Sequence, residues 1–115
     1  IKDVFDMLGN PPSLGVNLDT GNSWLGGSDP VEIAKVFKDK IGHIHWKDLG
    51  KDWEDKRGEQ FGAGFSTIAV GEGIIDIKGV CDVLKDADIE MSTLEVVGGK
   101  DILLKSVDYI RSCGM

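Results

Sequence analysis

The sequence is poor in the residues on which several kinds of protein depend. It has two cysteines, Cys81 and Cys113. They are too few for a disulfide scaffold and lack the close spacing of a zinc knot, so they read as small buried apolar side chains in a reducing, cytoplasmic setting. Cations are outnumbered, 13 Lys and Arg against 20 Asp and Glu, for a net charge of −7. No basic patch stands out, and nucleic acid is therefore not an expected partner. No apolar run reaches the roughly 18 residues of a membrane span, and no signal-peptide pattern occurs, so neither a membrane nor export is expected.

What is present suits an ordinary soluble domain. The chain has 115 residues, 41% hydrophobic and 29% charged, enough apolar material for one core. It starts at Ile1, inside a helical pattern and without an initiator Met. The expectation is a single partial domain over residues 1–115, a piece of a longer protein.

Ile1, Val4, Phe5 and Leu8 recur at helical spacing until Gly9 and the Pro11-Pro12 pair stop them. "LGVNLD" is a short strand. Asp29, Pro30 and Glu32 form a strong helix start, which predicts a helix from about Pro30 to Asp39. "IGHIHWKD", residues 41–48, is the second strand. A long Gly-rich and charged segment follows, and Lys51 to Gly64 within it is expected to be the most mobile part of the chain. Ile77, Val80, Cys81 and Leu84 mark a third helix, "IEMSTLEVV" a third strand, and Leu103, Val107 and Ile110 the buried face of a last helix. Alternating elements of this kind predict a parallel α/β sheet.

Side chains alternate across a strand, and each of these three strands has one apolar and one ionisable face. Val16 and Leu18 oppose Asn17 and Asp19; Ile44 and Trp46 oppose His43, His45 and Lys47; Leu94 and Val96 oppose Thr93 and Glu95. A two-layer sheet would turn the polar faces to water. Parallel sheets are normally covered on both sides, and a closed (β/α)8 barrel reconciles the two, with helices over the apolar face and the polar face lining the lumen. Asp19, His45 and Glu95 lie at or near the C-terminal ends of their strands, where such a barrel places its chemistry. Two carboxylates and an imidazole suit a divalent cation such as Mn²⁺, Co²⁺, Mg²⁺ or Zn²⁺.

The segments "GVNLDTGNSWLGGSDPVEIAKVF", "IGHIHWKD", "VGEGIIDIKGVCDVLKDADI" and "STLEVVGG" resemble the C-terminal half of the sugar phosphate isomerase/epimerase family. These are xylose isomerase-like TIM barrels that include ketose 3-epimerases and inosose dehydratases. The resemblance runs from about Leu14 to Ile110 and implies a partial (β/α)8 TIM barrel with about three parallel strands, resembling strands six to eight. It implies Asp19, His45 and Glu95 as metal ligands, Glu95 also as the acid/base carboxylate, and Lys47 and Asn22 as substrate contacts. Asn22 stands where many relatives carry a histidine, and the further Glu of the family has no counterpart upstream of Asp19.

The activity so implied is that of a divalent-metal-dependent sugar or sugar phosphate isomerase or epimerase, moving a proton at the carbon next to a carbonyl of a sugar or polyol. It is expected to be incomplete in this chain. An inosose dehydratase-like lyase and a non-catalytic fragment are the alternatives, while a DNA-repair endonuclease role on the same barrel is disfavoured by the −7 charge and the two histidines. His43, one layer deeper than His45, is expected to be a hydrogen-bonded support rather than a ligand. Trp24, Trp53, Phe61 and Phe65 are expected to pack loop against barrel or to stack on a sugar, Glu72 to be a turn residue, and Gly98-Gly99 to offer at most a weak phosphate site. Open strand edges in a partial barrel predict self-association.

Overall fold

The three apolar strand faces need a cover, and the amphipathic helices between them supply it. A computed structural model of the protein describes residues 1–60, 62 and 68–115. The helices are α1 (Lys2–Met7), α2 (Thr20–Leu25), α3 (Pro30–Phe37), α4 (Ile77–Leu84) and α5 (Lys100–Ser112), and the strands are β1 (Val16–Asp19), β2 (Ile41–Trp46) and β3 (Met91–Leu94). The strands form one parallel sheet in the order β1-β2-β3. In register, Asp19 lies beside His45 and His45 beside Thr93. This is the α/β arrangement of a partial TIM barrel.

Val16, Leu18, Ile44 and Trp46 point into the core with Ala34 of α3 and Ile77, Val80, Cys81 and Leu84 of α4. The cysteines are free; burial, and then the nearby Cys113, push the Cys81 thiol up to about 12, so Cys81 behaves as a core apolar group. Asp29 caps α3 by accepting from Val31 N at 2.9 Å, with Pro30 in the first turn. The helix yields at Phe37 to a 3₁₀ turn, Lys38–Lys40, which completes the expected span. Among the described residues no helix is long and apolar enough to cross a membrane.

Two expectations need correction, and a third gains detail. The segment after β1, read as a loop, contains α2: Asp19 accepts from Asn22 N at 2.8 Å and so starts a helix that buries Trp24 and Leu25. The face of α5 is turned, with Ser106 fully buried and Leu103 40% exposed. Ser106 Oγ donates to Ile102 O at 2.8 Å and accepts from Val70 N at 3.0 Å, a polar tie no apolar period predicts. The segment expected to be mobile opens with a 3₁₀ helix, Lys51–Lys56, and the two residues after it contact α2. There Arg57 Nε donates to Trp24 O at 2.9 Å, its guanidinium lies 4.9 Å over the Trp24 ring, and Gly58 N donates to Leu25 O at 2.7 Å. Phe61, Ala63 and Gly64 of that expectation, and Phe65, lie outside the described residues.

Candidate metal and substrate site

The C-terminal strand ends carry the site. Asp19 closes β1 and caps α2, with Oδ1 accepting from Asn22 N and Oδ2 from Asn22 Nδ2 at 2.9 Å. His45 projects from the same face of β2. Glu95 follows β3 and is drawn back to the sheet, because its N–H donates to Trp46 O at 3.0 Å. Donor atoms of Asp19, His45 and Glu95 all lie within 4.8 Å of one another. His45 Nδ1 is 3.1 Å from Glu95 Oε1.

Lys47 reaches both carboxylates of this cluster. It is 1% exposed, and its Nζ is 3.0 Å from Glu95 Oε2, 3.5 Å from Asp19 Oδ2 and 3.4 Å from Asn22 Oδ1. A buried ammonium is tolerated only where opposite charge and hydrogen bonds offset its lost hydration. Its place among the carboxylates means that this pocket stabilises positive charge. Two carboxylates and one imidazole are also the donor set that suits a hard or borderline divalent ion, so these residues fit such an ion.

The two carboxylates differ. Burial raises Asp19 above the ordinary aspartate value of 3.8, against the opposing pull of the Asn22 amide and Lys47, and neighbouring Glu95 raises it further. Burial pushes Glu95 up as well, but its hydrogen bond and charge pairing with Lys47, together with Asp19 and His45, outweigh this and leave it below 4.5. Glu95 thus keeps its charge to below the ordinary glutamate range, and Asp19 takes its proton above the ordinary aspartate range. Since a metal binds the carboxylate and competes with the proton, affinity for Mn²⁺ should decline as pH falls through a range above 3.8, earlier than an unperturbed aspartate would require. Calorimetric titration across the acid range checks this, and an affinity that holds until below that value would contradict it.

His43 lies deeper on the same face. Its Nε2 is 2.9 Å from Thr93 Oγ1 and its ring stands edge-on to His45 at 4.6 Å, the geometry of a support for the imidazole above it. Trp24 is buried under Arg57, and Trp53 is half-buried with Lys56 4.5 Å over its ring. Trp24 thus packs helix α2 into the core, and Trp53 packs the Lys51–Lys56 turn against that core. Glu72 is an exposed turn residue whose N–H donates to Ala69 O.

Three residues at the site carry more than the sequence suggests. Thr20 and Gly21 contact Lys47. Asp48, fully buried, accepts from four backbone amides: Leu49 N and Ile75 N on Oδ1 at 2.9 and 3.2 Å, Gly71 N and Gly73 N on Oδ2 at 2.9 and 3.1 Å. It thereby fastens the far end of the long connection to the strand end next to Lys47. Burial, opposed by these four amides, still leaves its carboxyl raised. A side chain at Gly73 would collide with the Asp48 carboxylate and Leu49 O. This close approach explains the second glycine of "GEG"; the first, Gly71, has a φ of 98° and lies against the Tyr109 ring.

Comparison with known proteins agrees with the geometry. The model of a family described as xylose isomerase-like TIM barrel matches residues 1–113. An inosose dehydratase of Lacticaseibacillus casei is 32% identical over 84 residues, 68% of this chain and 28% of that protein. An inosose dehydratase of strain BL23 of the same species gives the same figures. The matched stretch thus takes in little more than a quarter of these relatives' length. With three parallel strands, an ionisable inner face and a family match over nearly its whole length, the chain belongs to the xylose isomerase-like TIM barrel family.

Proposed function

We propose that the chain supplies the C-terminal strands of a divalent-metal-dependent enzyme that isomerises or epimerises a sugar or sugar phosphate by proton transfer at the carbon next to a carbonyl. The observation that carries this reading is the convergence of Asp19, His45 and Glu95 around the Lys47 ammonium. When bound by those three side chains, Mn²⁺, Co²⁺, Mg²⁺ or Zn²⁺ would supply Lewis acidity toward a substrate carbonyl. Glu95, ionised and only half-buried, is the carboxylate that would take and return a proton at carbon by its place at the strand end; its pairing with Lys47 weakens it as a base until Lys47 turns to a substrate oxygen. Lys47 donates to a substrate oxygen, and Asn22 fixes the Asp19 carboxylate and offers its own amide to a hydroxyl. A barrel of this type needs about 250 residues, so this chain alone is proposed to turn over little or no substrate.

A second reading is favoured by the inosose dehydratases among the relatives: a lyase using the same residues and expelling a hydroxyl from the carbon beside the carbanion. Incubating a full-length protein carrying this sequence with a panel of ketoses in D₂O, and with 2-keto-myo-inositol, separates the two. Deuterium entering a ketose with epimer formation supports the first; loss of water from the cyclitol alone replaces it by the second.

We also propose that the chain self-associates. Ile1, Met7, Leu8, Met91, Val97 and Leu104 are all at least 49% exposed, and β1 and β3 are sheet edges. Such edges recruit partners. Light scattering of the purified chain should give a mass above 12.4 kDa, and a stable monomer with a cooperative melt would contradict the proposal.

A further inference from the structure

We propose that Thr20 and Gly21 are the positioning residues of Lys47, Thr20 by clamping its main chain and Gly21 by leaving free the lane along which its side chain runs. Thr20 is fully buried at the start of α2. Its hydroxyl donates to Lys47 O at 2.7 Å and accepts from Lys47 N at 2.9 Å. One side chain therefore satisfies both main-chain polar groups of the residue that has just left β2. Valine has the same shape and neither bond; serine keeps both.

Gly21 acts on the side chain. A Cβ at this position would lie 2.6 Å from Lys47 Cγ and Cδ and 2.9 Å from its Cβ. These are not the loose end of a flexible chain. The Lys47 backbone is held by Thr20 and the stem is buried, so an added methyl moves either the stem or α2, and in both cases shifts the ammonium relative to Glu95, Asp19 and Asn22. Asp19, Thr20, Gly21 and Asn22 are consecutive: two of them meet the ammonium, and the two between them fix how it gets there. What the ammonium is for rests on the function proposed above, whereas where it is held does not.

The test is therefore made without metal or substrate. In the ¹⁵N-labelled full chain, the Lys47 ammonium, protected by burial and its carboxylate partners, should give a slowly exchanging proton–nitrogen signal, assigned by its disappearance in Lys47→Met. Thr20→Ser should keep that signal at its position. Thr20→Val and Gly21→Ala should shift or lose it while the amide signals of α4 stay in place. If Gly21→Ala proves too unstable to record, shortening the stem should relieve it: Gly21→Ala should lower the melting temperature less in the Lys47→Ala background, where only the contact with the residue-47 Cβ remains, than in the unmodified chain. An unshifted Lys47 signal in Thr20→Val, or a Gly21→Ala defect undiminished in the Lys47→Ala background, overturns the corresponding half of the proposal. Failure of the metal reading would leave every one of these results unchanged.

Discussion

Replacing Asp19 with alanine should weaken Mn²⁺ binding by about 100-fold or more, beyond what loss of a supporting hydrogen bond around a metal causes. Among the described residues Asp19 supplies one of three clustered candidate ligand side chains, and no other carboxylate of β1 can take its place, since Val16, Asn17 and Leu18 are its companions on the strand. Part of any loss could come from α2, because Asp19 is also its cap and a lost cap costs about 0.5–2 kcal/mol. Asp19→Asn separates the two effects: asparagine still caps a helix but carries no charge. Calorimetric titration should find Asp19→Asn folded and nearly as poor a binder as Asp19→Ala. His43→Ala, which removes only the neighbour of His45, should bind less weakly than either. Undiminished affinity in Asp19→Asn would remove Asp19 from the ligand set.

The second large effect concerns stability. Asp48→Ala should abolish or severely lower the cooperative melt. Four backbone amides lose their acceptor at once, and each buried donor left unmet costs about 1–3 kcal/mol. If water or rearrangement rescues two of the four, the loss is still about 2–6 kcal/mol, against about 5–15 kcal/mol for the whole stability of a typical domain. Asp48→Asn keeps the volume and one acceptor oxygen, and should fall between. Circular dichroism melts of the three proteins order them, and a melting temperature in Asp48→Ala equal to that of the unmodified chain would show that the long connection is fastened by other means.

Much of the architecture was legible because it follows from periodicity. The inward face of β2 was readable from His43, His45 and Lys47 at alternate positions, and the start of α3 from Asp29 and Pro30. Convergence of Asp19, His45 and Glu95 was readable because all three stand near strand ends on one face, and parallel register then brings them together. The rest depended on contacts that carry no local pattern. Six residues, "TGNSWL", offer little helical period, and α2 forms because Asp19 caps it and the core takes Trp24 and Leu25. The role of Asp48 was hidden because three of its donors are 23, 25 and 27 positions away and are main-chain amides, identical in every residue but proline. The turned face of α5 was hidden because Ser106, which a hydropathy pattern places outside, is satisfied inside by Val70 and Ile102. The docking of Arg57 on Trp24 was likewise a long-range contact, 33 positions apart.

The claim on which the account turns is that Asp19, His45 and Glu95 hold one divalent ion together. Anomalous diffraction from crystals of the protein grown with Mn²⁺ tests it most directly. The account predicts a single strong manganese peak bounded by an Asp19 carboxylate oxygen, a His45 ring nitrogen and a Glu95 carboxylate oxygen, with the Lys47 ammonium moved off the carboxylate it shares with the ion. A peak elsewhere, or none with Lys47 still bridging Asp19 and Glu95 at saturating manganese, would contradict it.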